Sequence, residues 1–194
     1  MELKTLIRQQ KQIRAIGFDD APFERGQSQK VNIAGIVCAN TRFEGMVWGA
    51  VDVDGHDATE IICQLLIGKK FLPQLNLVLL DGIGFGGFNL VNLSLLAQRL
   101  QLPCVAMMRK LPNIQKMMAA MSRLPNFEQR LARLHQAGEI YAYPPFFFQV
   151  QGEQPEIIAQ ALEQLTDRGK VPEALRLAHL VGAAVLRGES SSQA

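Results

Sequence analysis

The stretch Leu75-Asn76-Leu77-Val78-Leu79-Leu80-Asp81, stopped by Gly82-Ile83-Gly84-Phe85-Gly86-Gly87, decides how the chain is read. A short apolar run without alternation belongs to a strand covered on both faces, which is the habit of parallel sheets. The glycine-rich turn ends it, and NLVNLSLLAQRL (89–100) then carries helical spacing before a second apolar strand, PCVAMMR (103–109). Strand, helix, strand is the unit that builds a parallel sheet.

Upstream the pattern changes. QIRAIGFD (12–19) halts at the turn-forming DDAPFERGQSQK (19–30), and KVNIAGIVCAN (30–40) and RFEGMVWGAVDVD (42–54) follow as strands joined at Asn40-Thr41. Turns this short connect antiparallel neighbours. In the third strand, alternation places Met46, Trp48, Ala50, Asp52 and Asp54 on one face, so two carboxylates continue an otherwise apolar row. DATEIICQLLIGKK (57–70) reads as a helix with Asp57 at its N-cap and Glu60 completing a capping-box pattern. Downstream, helices are expected near 112–122 and 125–136, an edge strand or loop in EIYAYPPFFFQVQ (139–151), and helices in 154–166 and 172–187, the last opened by Pro172 at its first helical position. The reading is an α/β domain over 1–187 with a mixed sheet: three early antiparallel strands, then alternating helices and parallel strands. The tail 188–194 is expected to be disordered.

Composition narrows the class. With 194 residues, 48% of them hydrophobic, the chain is long enough to bury a core without staples. The longest charge-free stretch, 82–98, is broken by four glycines and two asparagines, so no membrane span is expected. The first residues lack the apolar block of a secretory signal, and Cys38, Cys63 and Cys104 all sit in apolar company without metal-binding spacing. A cytoplasmic protein with reduced thiols is the expectation. The sequence specifies no oligomeric state.

The net charge of +2 hides an uneven distribution. Six of the seven aspartates lie between 19 and 81, whereas 109–133 holds six basic residues against one acid. Asp19, Asp54 or Asp52, and Asp81 each fall at a strand end, where ligands of open α/β sheets collect. Carboxylates gathered there repel one another, and a hard divalent cation such as Mg²⁺ or Mn²⁺ relieves the repulsion. Capping and turn formation are the competing role, and Asp57 is explained first as a cap. Asp20 would point away from Asp19 in a regular strand. The basic stretch could track a phosphate backbone or form the solvated side of two helices, and its spread-out charges favour the second. Gly82 to Gly87 formally satisfy the dinucleotide fingerprint, but Arg109 and Lys110 stand where an acid is required, and Asp81 would oppose a pyrophosphate. No serine-hydrolase elbow is present.

Five blocks, IGFDDAPF (16–23), VDVDGHDATE (51–60), LLDGIGFGGFN (79–89), LPCVAMMRK (102–110) and PEALRLAHLVG (172–182), resemble in order those of the family known as domain of unknown function 99. That family is in turn remotely similar to endonuclease V, with its ribonuclease H-like fold. The resemblance implies a metal-dependent endonuclease or phosphodiesterase acting on DNA or RNA, cleaving near deaminated bases. It makes Asp19 and Asp81 metal ligands, leaves Asp54 or Asp57 nearest to a family glutamate, lifts His179 above an ordinary surface histidine, and sets Arg109 with Lys110 where a family lysine stands. Gly82 and Gly84 would meet substrate. Two family histidines fall on Ile83 and Gly87, and a strand-separating wedge is missing between Arg42 and Ala50. Those departures suit an alternative: a catalytically inactive nuclease fold that binds nucleic acid or a protein partner.

Overall fold

The computed structural model describes residues 2–191. In chain order its elements are α1 (Leu3–Arg8), β1 (Arg14–Asp20), β2 (Lys30–Ala39), β3 (Arg42–Asp52), α2 (Ala58–Leu66), β4 (Leu77–Asp81), β5 (Gly84–Phe85), β6 (Asn89–Leu90), α3 (Leu93–Leu100), β7 (Cys104–Met108), α4 (Ile114–Met121), α5 (Phe127–Gln136), β8 (Tyr141–Tyr143), β9 (Phe146–Gln151), α6 (Pro155–Gln164) and α7 (Glu173–Arg187). A 3-10 turn, Leu72–Gln74, precedes β4.

Seven strands form one sheet in the order β3-β2-β1-β4-β7-β9-β8. β1, β2 and β3 are antiparallel neighbours, while β1, β4 and β7 run parallel. β4 therefore lies at the centre, and Leu77, Val78, Leu79 and Leu80 are wholly buried. Full burial of each such side chain contributes about 1.5–3 kcal/mol, which explains why the uninterrupted apolar run sits here and not at an edge. One face packs under α2 and α3 through Ile16, Phe18, Val78 and Leu80. The other packs under α1 and α6 through Ala15, Leu77, Leu79 and Phe148. α7 closes that second face over β1 and β2 through Ala174 and Ala178 against Ala34 and Ile36.

Several boundaries differ from the sequence expectation. EIYAYPPFFFQVQ is a hairpin, because both prolines fall in its turn; β9 keeps its N–H groups and lies inside the sheet, antiparallel to β7. The helix expected from residue 89 begins at Leu93, where Asn92 accepts a hydrogen bond from the Leu95 N–H at 3.0 Å. Pro172 occupies the N-cap of α7, one position earlier than expected. α1 was not foreseen; Leu3 and Leu6 anchor it in the core shared with α6. Of the expected disordered tail, Gly188 closes α7 in the left-handed conformation, and residues 192–194 lie outside the described residues. No helix is long and apolar enough to cross a membrane among the described residues.

Candidate metal centre

β1 and β4 run parallel and end side by side, with Phe18 level with Leu80. The next residues, Asp19 and Asp81, share the alternation of Gly17 and Leu79, so both carboxylates project on the α7 face. Gly82, with φ of 82°, turns the chain away as soon as Asp81 is placed. α7 then crosses above. It can approach β1 closely because Gly17 has no side chain: a Cβ there would lie 2.7 Å from both the Ala174 carbonyl carbon and the Leu175 nitrogen. One and two turns later Ala178 is fully buried and Gly182 meets Ala21, so this seam of small residues fixes the helix.

His179 stands at the edge of that seam. Its Nδ1 lies 2.9 Å from Asp19 Oδ2, and ligand atoms of Asp19, Asp81 and His179 all lie within 4.8 Å of one another. The three open onto a cleft of about 710 Å³, whose rim carries Arg109, Lys110 and Arg187. Arg109 Nη2 is 3.7 Å from Asp81 Oδ2, a long ion pair with an exposed guanidinium. Asp20 points to the opposite face, as alternation requires, yet it borders the same cleft and its Oδ2 accepts the Gly86 N–H at 2.6 Å.

The electrostatics are those of a site short of positive charge. Burial, then the neighbouring Asp81 and Asp20, push the Asp19 carboxyl up to about 8. Burial also raises Asp20 and Asp81, opposed at Asp20 by the Gly86 N–H and at Asp81 by Arg109. Two carboxylates and an imidazole nitrogen, with only the long Arg109 contact supplying a fixed positive charge, are a donor set that fits a hard divalent cation.

Asp54 and Asp57 are not part of this cluster. β3 ends at Asp52, and Asp54 sits beyond it with φ of 49°, its Oδ1 accepting the Phe88 N–H at 2.7 Å. Asp57 occupies the N-cap of α2 without capping it; its Oδ1 instead receives the Asn89 Nδ2 at 2.6 Å and the Asp52 N–H at 3.1 Å. Asn89 Oδ1 takes the Ala58 N–H, so the cap comes from a distant strand. The alternation rule failed at Asp54 because the strand had already turned. Asp52 is exposed and pairs with Lys30 at 3.5 Å.

The glycine turn is a β5–β6 hairpin, not the strand-to-helix turn of a dinucleotide site. At Gly87, φ is 93° and a Cβ would strike the Asp54 carboxylate, so turn and carboxylate specify each other. Gly82 borders both the Asp19–Asp81–His179 cleft and a second cavity, and Gly84 borders the second alone. The basic stretch divides. Arg109 and Lys110 face the cleft, whereas Arg130 is buried and donates to the carbonyls of Pro125, Gly55, Phe88 and Asp54. Arg133 similarly donates to the His56 and Leu90 carbonyls. Arg187, absent from the sequence reading, reaches the cleft because it lies eight residues beyond His179 on one helix.

The family model described as Endonuclease dU matches residues 11–186. A UPF0215 protein of Methanothermobacter thermautotrophicus is 35% identical over 188 residues, 94% of this chain and 92% of its own length. A UPF0215 protein of Pyrococcus furiosus is 33% identical over 191 residues, 96% and 98% of the two chains. Among solved structures, a protein of unknown function from Archaeoglobus fulgidus is similar with a TM-score of 0.85 and 31% identity, covering 91% of this chain and 99% of that one. Endonuclease V of Ciona intestinalis, in complex with a 24mer DNA containing an inosine followed by a ribo-adenosine, gives a TM-score of 0.59 at 18% identity, covering 92% and 88%. At that identity the likeness establishes the ribonuclease H-like nuclease fold, in agreement with the expected mixed α/β sheet.

Proposed function

The chain belongs to the Endonuclease dU family, and from that membership we propose that it is a divalent-metal-dependent endonuclease, hydrolysing a phosphodiester bond of a nucleic acid beside a deoxyuridine. The observation that carries the reading is the convergence of Asp19, Asp81 and His179 at the parallel strand ends, in a cleft with a basic rim.

Asp19 and Asp81 would hold Mg²⁺ or Mn²⁺, with His179 beside them. When bound, the metal supplies an activated water and charge stabilisation at the phosphate. The protein's own residues do the rest. Asp19 fixes His179 through Nδ1, which leaves Nε2 as the ring nitrogen able to ligate or to exchange a proton. Arg109 and Lys110 attract the phosphate backbone and orient it against the carboxylates, which alone would repel it. Gly82, lacking a side chain, lets the strand pass over the end of β4. Three buried cysteines suit action in the cytoplasm.

The reading is tested by incubating the protein with Mn²⁺ and duplex or single-stranded DNA carrying one deoxyuridine. Strand scission at a fixed distance from that residue is expected, lost with EDTA and in Asp81→Asn. A protein that binds these strands with no scission in any divalent metal would be the inactive binding module instead.

A further inference from the structure

A second cavity, of about 760 Å³, opens on the other side of the sheet from the metal cluster. Gly84 and Gly87 floor it, Ile114 and Met117 of α4 and Leu134 of α5 wall it, and it meets the metal cleft at Gly82, Met108 and Pro112. A strand crossing the ends of β4 and β7 could therefore leave a phosphate at the cluster and place an adjoining base in this cavity.

Three polar side chains border its largely apolar lining, and of these His135 and Glu139 are exposed while Gln149 is buried. Gln149 is only 4% exposed, and its register with Ala106, itself paired to Leu80, puts it on the face opposite Asp81. Its Nε2 donates to the Gly138 carbonyl at 2.8 Å. That bond fixes the amide: a flipped side chain would set Oε1 against the Gly138 oxygen, acceptor against acceptor. Oε1 is thereby held as an acceptor, with no protein donor among the described residues.

Resting on the endonuclease reading, we propose that this cavity receives a nucleobase swung out of the strand and that Gln149 Oε1 selects bases carrying a ring N–H. Uracil donates such an N–H from N3, whereas cytosine presents a lone pair at N3 to the same oxygen. Hydrolytic deamination converts the second into the first, so one fixed acceptor separates uracil from the cytosine it arises from. A buried acceptor facing an acceptor costs enough for roughly 10- to 100-fold discrimination.

The test is fluorescence anisotropy with Ca²⁺ in place of Mn²⁺, using oligonucleotides that differ at one position: uracil, cytosine, or 3-methyluracil, which keeps the carbonyls but lacks the N–H. Uracil is expected to bind at least 10-fold tighter than either, and Gln149→Leu to erase the difference. Should Gln149→Leu fail to fold, Ile114→Trp, at an exposed position on α4 that lines the cavity, narrows it and is expected to erase the difference too. Equal binding of all three by the unaltered protein overturns the proposal. If Mn²⁺-dependent scission is nonetheless seen, the endonuclease reading stands without it; a uracil preference without scission supports the cavity and rejects the enzyme.

Discussion

His179 Nδ1 lies 2.9 Å from Asp19 Oδ2 although 160 residues separate them. The contact exists because α7 lies directly on β1, and that closeness depends on the missing side chain of Gly17. The geometry of the Asp19–His179 pair and the packing of the last helix are thus one property.

Gly17→Val should reveal the link. Overpacking of this kind costs about 1–3 kcal/mol, and here it must move α7 and carry His179 from Asp19. The expected outcome is a folded protein with a lowered melting temperature and at least 10-fold weaker Mn²⁺ binding by calorimetry. Unchanged Mn²⁺ affinity would separate the helix from the site.

The raised Asp19 carboxyl fixes the sign of a pH effect. A group near 8 in the folded protein and near 3.8 when unfolded favours folding while protonated, and that contribution declines as pH rises through about 8. In EDTA, the melting temperature should fall between pH 5 and 8.5 through this group, and Asp19→Asn should flatten the slope. A variant with the same slope as the unaltered protein would assign the effect elsewhere.

Asp54 and Asp81 should behave oppositely. Asp54→Ala leaves the Phe88 N–H without its acceptor, for an expected loss of about 1–3 kcal/mol in urea unfolding. Its Mn²⁺ affinity should stay within about twofold, because Asp54 is outside the cluster. Asp81→Asn should lose Mn²⁺ binding and gain stability in EDTA, since burial already disfavours its charge.

Arg130 holds the β5–β6 turn that lines the second cavity. Arg130→Met abandons the carbonyls of Gly55, Asp54 and Phe88, and native-state hydrogen exchange should accelerate at residues 84–90 while β4 stays protected. Equal acceleration in β4 would mean global destabilisation rather than a loosened turn.

Much of the fold was legible because its decisive signals are local. The apolar run 75–81 has the pattern of a strand covered on both faces, which β4 is, and Asn40-Thr41 is short enough for a turn between antiparallel neighbours. Asp19 and Asp81 stood out as strand-end carboxylates and through the resemblance, and it is the parallel pairing of β1 with β4 that brings them together. Asp54 and Asp57 lie outside the cluster although alternation and capping drew attention to them, because those rules describe regular elements and residues 53–57 are a turn held by Phe88 and Asn89 from elsewhere in the chain. His179 could be singled out only through the resemblance, because its partner lies on the first strand. The burial of Arg130 left no sequence signal: its partners are backbone carbonyls, which every residue possesses.

The central claim is that Asp19 and Asp81 hold the divalent metal. Anomalous diffraction from crystals grown with Mn²⁺ tests it most directly. A peak is expected within about 2.3 Å of carboxylate oxygens of both Asp19 and Asp81. A peak at Asp52, Asp54 or Asp57, with none between Asp19 and Asp81, would contradict it.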